Sequence, residues 1–336
     1  MSNRSSAKKP NVYYAEADVG IELPVIDVTN PEFALAVGPA EQRAMVETYA
    51  RRQRPWRFMP RWLRRRVFQK MARRSVLARA MSTGGRYLSG LDTYLFKLGP
   101  DNLGTVTSEL IDRRIAESPP VLSIRLRLQD VAELLAEFLA PALVQAPDKP
   151  LYLLNIAGGP TMDSLNALIL LNRGDPRHLR GRRIVIQVLD LDSAGPAFGA
   201  RALAALSVSG GPLNGLRIEF HHRPYDWSRA EELAPVLDAL RAESAVWAVS
   251  SEGGLFDYGS DADVIANLEK LAGAHVVVGS VTRADALMQA MQRDSTMPLV
   301  MRGHAGFAPL AARAGWNVAR VIERIVSDQV ALVRDV

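Results

Sequence analysis

Two kinds of hydrophobic spacing divide this chain. Up to about residue 148 the apolar residues recur at helical intervals; from Leu151 onward they come in short unbroken runs separated by helical stretches. In the first part, residues 1–10 read as a disordered polar tail, and 11–40 as an extended arm in which Pro24, Pro31 and Pro39 forbid a long helix. Helix is expected from Ala40 to Ala80, broken near Pro55 and Pro60, with Leu63, Val67, Phe68, Met71 and Leu77 on one face. Thr83-Gly84-Gly85 reads as a turn, and Asp92–Leu98 and Glu109–Ala116 as short helices. Leu128–Leu139 reads as an amphipathic helix stopped by Pro141.

In the second part, Leu151–Ile156, Arg183–Leu189, Leu216–His221, Ala245–Val249 and Ala274–Ser280 read as buried strands. Helical segments at 163–171, 194–206, 231–242, 261–271 and 308–314 alternate with them, and 316–322 and 326–333 read as closing strands. This alternation predicts an α/β fold: a Rossmann-like, seven-stranded, mostly parallel sheet with one antiparallel strand near the end, preceded by a mainly α-helical N-terminal region. Three segments follow: an arm (1–40, partly disordered), a helical lid, substrate or dimerisation region (41–148) and a ligand-binding α/β domain (149–336).

Open α/β sheets bind ligands beyond the carboxyl ends of their strands. The residues delivered there carry chemistry. The first strand of the sheet ends in Asn155, Ala157, Gly158 and Gly159, and paired glycines let backbone approach a ligand closely. The second delivers Asp190, able to accept from a ribose diol, with Leu191 beside it; the third delivers Tyr225, Asp226 and Trp227, suited to the edge and face of an adenine. The fourth delivers Ser250, Ser251 and Glu252.

In this order of features the segment from Leu151 to Val336 resembles the class I S-adenosylmethionine-dependent methyltransferases. In that family the first strand ends in an acid before a Gly-x-Gly loop; here Asn155 stands for the acid and Ala157 for the first glycine. Asp190 matches the ribose-binding acid, Asp226 the acid that contacts the adenine amino group, with Tyr225 and Trp227 as stacking neighbours, and residues 250–254 the segment where donor and acceptor meet. Phe307–Trp316 resembles the family's late helix and the turn into its last strands. The resemblance implies S-adenosylmethionine as cofactor, S-adenosylhomocysteine as product, and cofactor contacts from Asn155, Ala157, Gly158, Gly159, Asp190, Leu191, Tyr225, Asp226, Trp227, Ser251 and Glu252. Methyl transfer from a sulfonium is an in-line displacement that needs a base only when the acceptor must lose a proton. Candidates for that base are Glu252, Tyr258 and His304, with Asp257 beside them; His304 lies in a glycine-rich stretch that reads as a flexible loop. The competing α/β enzyme, a dinucleotide-binding dehydrogenase, wants G-x-G-x-x-G; Pro160 falls where its phosphate loop needs free N–H groups, and no third glycine follows.

Composition changes the picture in two places. There is no cysteine, which excludes disulfides, thiolate nucleophiles and cysteine-ligated metals, and no His/Asp/Glu spacing suggests a metal site. The net charge of +5 is uneven: residues 51–80 hold twelve Arg or Lys and no acid, so the rest of the chain sums to −7. That segment reads as a helix face packed on the acidic domain, as an anionic-membrane surface anchored by Trp56, Phe58 and Trp62, or as an RNA-binding patch. No apolar run has membrane-spanning length and the N-terminus lacks a secretory apolar core, so a cytoplasmic enzyme is expected. The leading expectation is methylation of a small-molecule acceptor, with a homodimer possible. The alternatives are an RNA or protein methyltransferase docking through the Arg-rich helix, and a binding protein that no longer transfers methyl. Within the helical half, Ser89–Gly99 is the most site-like stretch, rich in small, aromatic and polar residues including Asp92, Tyr94 and Lys97.

Overall fold

The computed structural model describes residues 8–17, 21–83, 89–104, 110–285, 288–289 and 298–334. The arm forms a two-stranded hairpin, β1 (Tyr14–Glu16) and β2 (Glu22–Pro24). The helical region follows as α1 (Pro39–Arg57), α2 (Arg61–Ala72), α3 (Val76–Thr83), α4 (Gly90–Lys97), α5 (Leu110–Ala116) and α6 (Pro119–Gln145). The α/β part then runs β3 (Leu151–Ile156), α7 (Met162–Gly174), β4 (Arg183–Leu189), α8 (Ala194–Leu206), β5 (Arg217–Arg223), α9 (Ala234–Ala242) and β6 (Val246–Ser251). It continues with α10 (Leu255–Tyr258), α11 (Asp261–Lys270), β7 (Val276–Thr282), α12 (Gly303–Arg313), β8 (Asn317–Glu323) and β9 (Ser327–Val333). The tail read at 1–10, the turn at Gly84-Gly85 and Glu109 fall wholly or partly outside the described residues.

The seven-stranded sheet has the order β5-β4-β3-β6-β7-β9-β8. All neighbours are parallel except β9, which runs antiparallel to both β7 and β8. This is the expected fold class. Both faces of the sheet are covered, which is why β3, β6 and β7 are buried at every position and read as continuous apolar runs. One core packs α6, α7 and α8 with the arm against the sheet; the other packs α9, α11 and α12 on the opposite face. The edge strands β5 and β8 are polar and half-exposed, as edges must be to stay unpaired.

Proline placement corrected two expectations. Pro141 does not stop α6; the helix runs from Pro119 to Gln145 with Pro141 inside it, and Leu139 and Leu143 are buried on either side. Burial of that face outweighs the missing hydrogen bond. Pro119 and Pro120 open the helix, where no N–H is needed. Pro55 likewise lies within the last turn of α1, and the break falls at Pro60 instead.

The arm and helices are fastened to the sheet domain. Asn166 on α7 accepts from the Val28 N–H (2.7 Å) and donates to the Ile26 carbonyl (3.0 Å). Buried Tyr94 on α4 donates to the Pro24 carbonyl. On the far side, buried Asp130 of α6 takes both ends of the Arg324 guanidinium (2.8 and 2.6 Å) from the β8–β9 turn. The closest approach is between backbones: a Cβ on Gly90 would lie 2.7 Å from Gly159 Cα, and one on Gly195 2.8 Å from the same atom. Three glycines thus bring α4, the loop after β3 and the start of α8 into direct contact. Gly90→Ala is expected to destabilise by about 1–3 kcal/mol, the usual range for overpacking, read as a lower denaturation midpoint. Gly38→Ala, where nothing lies within 4 Å, is the matched control and should change little.

Candidate functional site

The strand order reverses between β3 and β6, because the chain fills β3, β4 and β5 outward and then returns to β6 and β7 on the other side. Their carboxyl ends meet there, with Asn155 paired to Ser250. Gly158, Gly159, Asp190, Asp226 and Glu252 each follow the carboxyl end of one of the strands β3 to β6.

The loop after β3 has an alternating backbone. Ala157 (φ 55°), Gly159 (φ 51°) and Thr161 (φ 51°) are all left-handed. Ala157 therefore sits in a conformation that favours glycine, at a cost of about 1–2 kcal/mol for a residue with a Cβ. The Ala157 N–H is held by the Leu189 carbonyl (2.8 Å). The Gly159 N–H donates to Asp190 Oδ2 (2.8 Å), and the Asp192 N–H donates to Asp190 Oδ1 (2.9 Å). A carboxylate has about four lone pairs, so each Asp190 oxygen keeps acceptor capacity. Burial raises the Asp190 pKa, and the two N–H groups oppose that rise. Beside it, Leu191 is 68% exposed, an apolar side chain open to a partner.

The third strand behaves differently from expectation at one residue. Asp226 is half-buried and accepts from Ser228 N–H and Oγ, which lowers its pKa. Trp227 packs partly on the second core. Tyr225, expected beside an adenine, is buried in that core, and its hydroxyl donates to Asn267 Oδ1 (2.6 Å). Its ring is committed to packing under α11.

The fourth strand delivers a charge network. Glu252 is buried, its carboxylate held by Lys97 of α4 (2.8 Å) and Arg127 of α6 (3.2 Å); the side chains are 4%, 6% and 14% exposed. Arg127 also faces Asp257 (3.6 Å), which is fully buried and accepts from Thr282 N–H and Oγ1. Desolvation raises the Asp257 pKa against those partners. This corrects Glu252 and Asp257 as free bases: both are bound as charge partners. Ser251 is spent locally, donating to the Ile156 carbonyl and accepting from the Leu255 N–H. Gly253 has a positive φ, and a Cβ there would strike the Arg127 guanidinium. Tyr258 is half-buried at the end of α10.

Asn155 and Asp163 form a second buried cluster behind the loop. Asn155 Nδ2 donates to Asp163 Oδ1 (2.6 Å) and to Ser250 Oγ (2.9 Å). Among the described residues, Asn155 Oδ1, Asp163 Oδ2 and Thr161 Oγ1 are buried with no hydrogen-bond partner. Burial, reinforced by the nearby Glu252 charge, pushes the Asp163 pKa up to about 6.

His304 also differs from expectation. It lies in the first turn of α12 rather than in a flexible loop, and Asp328 on β9 binds its Nδ1 (2.9 Å). Asp328 is buried opposite Val281 at the end of β7 and faces Arg283 too (3.3 Å). The imidazole is therefore oriented by a carboxylate through one nitrogen and stays partly exposed. Among the described residues no His/Asp/Glu group could hold a metal ion.

Neither Arg127, inside the long helix α6, nor Asp163, in the first turn of α7, carries a strand-end signal in the sequence. Lys97 lay in the stretch singled out as site-like.

No family model matches the chain, and no curated protein matches it. Its fold matches many solved S-adenosylmethionine-dependent methyltransferases at low sequence identity. One is an O-methyltransferase family protein from Burkholderia thailandensis: 13% identity, 68% of this chain and 61% of that chain, TM-score 0.41. Another is an O-methyltransferase from neocarzinostatin biosynthesis, solved with S-adenosylhomocysteine and 1,4-dihydroxy-2-naphthoic acid: 15% identity, 55% and 49% coverage, TM-score 0.35. A third is a methyltransferase from Aquifex aeolicus: 12% identity, 63% and 93% coverage, TM-score 0.36. The chain spans about half the length of the neocarzinostatin enzyme.

The buried acid gives a pH prediction. Asp163 binds its proton more tightly folded than unfolded, since its pKa rises from 3.8 to about 6. That contribution is full below pH 3.8 and is lost as pH rises through about 6. Asp163→Asn removes the ionisation while keeping an acceptor for Asn155 and Ser164. It should therefore stabilise the protein at pH 8, by at most about 3 kcal/mol, and give little gain at pH 4. Thermal melts of both proteins across this range check the sign.

Proposed function

We propose that the chain binds S-adenosylmethionine across the ends of β3, β4 and β5 and catalyses methyl transfer to a small-molecule acceptor. The observation that carries this reading is Asp190, which fastens the glycine loop with one lone pair on each oxygen and keeps the others for a vicinal diol. The bound donor supplies a methyl group already activated on a sulfonium.

The roles of the chain's own residues follow from their surroundings. Leu191 offers an apolar surface to a base, and Asp226 Oδ2 an acceptor for an exocyclic amine, with Trp227 alongside. Ala157, Gly158 and Gly159 let backbone lie against the donor. Asn155, Ser251, Glu252 and Tyr225 hold that frame from behind. The unpartnered acceptors on Asn155, Thr161 and Asp163 give this end of the edge a preference for a positively charged ligand group. Where the acceptor must lose a proton, His304 takes it, oriented by Asp328. Tyr258 stands at the same end of the sheet as a polar contact. Residues 149–336 form the donor-binding unit on this reading, and 41–148 supply the acceptor side, consistent with α4 reaching the glycine loop.

A second reading is favoured by the pairing of Glu252 with two cations: the fold binds the donor but does not transfer methyl. Two measurements separate these readings. Calorimetry should show wild type binding S-adenosylmethionine and S-adenosylhomocysteine, with Asp190→Ala weakening both about ten- to hundredfold, the worth of hydrogen bonds to a charged group. Absence of binding to wild type would overturn both readings. Release of S-adenosylhomocysteine across a panel of hydroxylated and amino acceptors then tests transfer. His304→Gln should keep donor affinity and lower turnover about a hundredfold or more; unchanged turnover would remove His304 as the base.

A further inference from the structure

We infer that the corner between α1 and α2 is a docking surface for an anionic phospholipid membrane. This inference is independent of the proposed reaction. On α2 and its C-cap the exposed positions are Trp62, Arg65, Arg66, Gln69, Lys70 and Arg73, spaced three or four apart and so forming one stripe. The opposite positions Leu63, Val67, Phe68 and Met71 are half-buried, and α2 packs by that side on α3. The outward stripe thus carries an indole at its start and cations along its length, with no acid between residues 51 and 80.

Packing of this segment on the acidic remainder of the chain would show as ion pairs. Among the described residues, none of Arg65, Arg66, Lys70, Arg73 and Arg74 pairs with a carboxylate; the carboxylates in ion pairs are taken by basic groups from other segments. The two acids of α1, Glu41 and Glu47, sit in its first half, away from the corner. These five cations therefore face solvent and offer their charge to an anionic partner.

Two large side chains select the kind of partner. Phe58 is 87% exposed and Trp62 63%, and they flank Pro60 where α1 gives way to α2. Stacking on a nucleic-acid base would cover one face of such a ring. Immersion at the headgroup–acyl boundary covers both, and the neighbouring arginines stay at headgroup level. Among the described residues no helix is long and apolar enough to cross a bilayer, so attachment is at the surface.

The test is co-sedimentation of the full chain with phosphatidylcholine vesicles, with and without phosphatidylglycerol, at low and high salt. Binding is expected only to the anionic vesicles and should fall with salt. Arg65→Gln/Arg66→Gln/Lys70→Gln should weaken it about a hundredfold, at roughly fivefold per cation. Phe58→Ser/Trp62→Ser should weaken it while leaving its salt dependence in place. All five positions are exposed, so circular dichroism should show unchanged folding. Absence of binding to anionic vesicles at low salt overturns the inference. So does full displacement from vesicles by single-stranded RNA, which would assign the surface to nucleic acid. Undiminished binding of the aromatic variant would also overturn it, since the insertion of the two rings is what selects a bilayer.

Discussion

The structure depends on a carboxylate that cannot be left alone. Glu252 stands at the carboxyl end of a central strand, out of water. An unpaired charge there would cost several kcal/mol. Its two partners come from outside the α/β part, Lys97 from α4 and Arg127 from α6. Arg127 then extends to Asp257, whose other contacts reach β7 through Thr282. Two cations and two anions close this network, and it spans three elements of the sheet edge and two helices of the N-terminal half. The helices are therefore part of the electrostatic structure of the sheet edge rather than a separable cover. The three-glycine contact has the same consequence in steric terms, because it brings α4 onto the loop after β3.

The second buried cluster, around Asn155, lies where this chain departs from the pattern it resembles. An acid at position 155 would be a third carboxylate beside Asp163 and Glu252. Asn155 instead donates to Asp163 and to Ser250, which a carboxylate cannot do. The exchange of acid for amide follows from the acid already present on α7. Asp163 has no cation of its own in the way that Glu252 has, and its raised pKa records that. Ala157 is a different case. The backbone there keeps the left-handed turn, and its methyl group meets the site where a Gly254 Cβ would fall. The substitution keeps the loop's path and adds a contact with the loop after β6.

The sheet was legible in the sequence because strands buried on both faces must be apolar throughout. Leu151–Ile156 and Arg183–Leu189 are bounded in the structure as in the sequence, since Pro150 and the Ala157-Gly158 turn flank the first and Arg182 and Asp190 the second. The helical half was less legible. Pro141 signals a stop locally, yet the packing of Leu139 and Leu143 carries α6 past it, and packing is not a local property. The site divides in the same way. Asp190, Asp226 and the glycine pair are readable because strand ends have sequence signals. Lys97 and Arg127 interrupt helical apolar patterns, where a cation looks like a solvated face until the partner strand is placed. His304 was misplaced for a related reason: glycines on both sides suggest a loop, whereas Gly303 opens α12 and the histidine is fixed by Asp328, distant in sequence.

The edge of the sheet is consequently unequal along its length. On the β6–β7 side its polar groups satisfy one another, through Glu252, Arg127, Asp257 and Thr282, and backbone conformation there is tied to that arrangement by Gly253. On the β4–β5 side Asp190 retains lone pairs, Asp226 is half-exposed, and Leu191 projects outward. On the reading proposed above, preorganised charge on one side and open polar groups on the other suit a bipartite ligand. Such a ligand would place a flat, diol-bearing part where groups remain open and a charged part toward the fixed dipoles and ions. Fixed groups need little reorganisation when a charge is placed among them, and so they distinguish ligands by charge more sharply than water does. The glycine loop lies between the two sides, bonded to Asp190 at one end and packed on Gly254 at the other, so the spacing between them is set by the backbone itself.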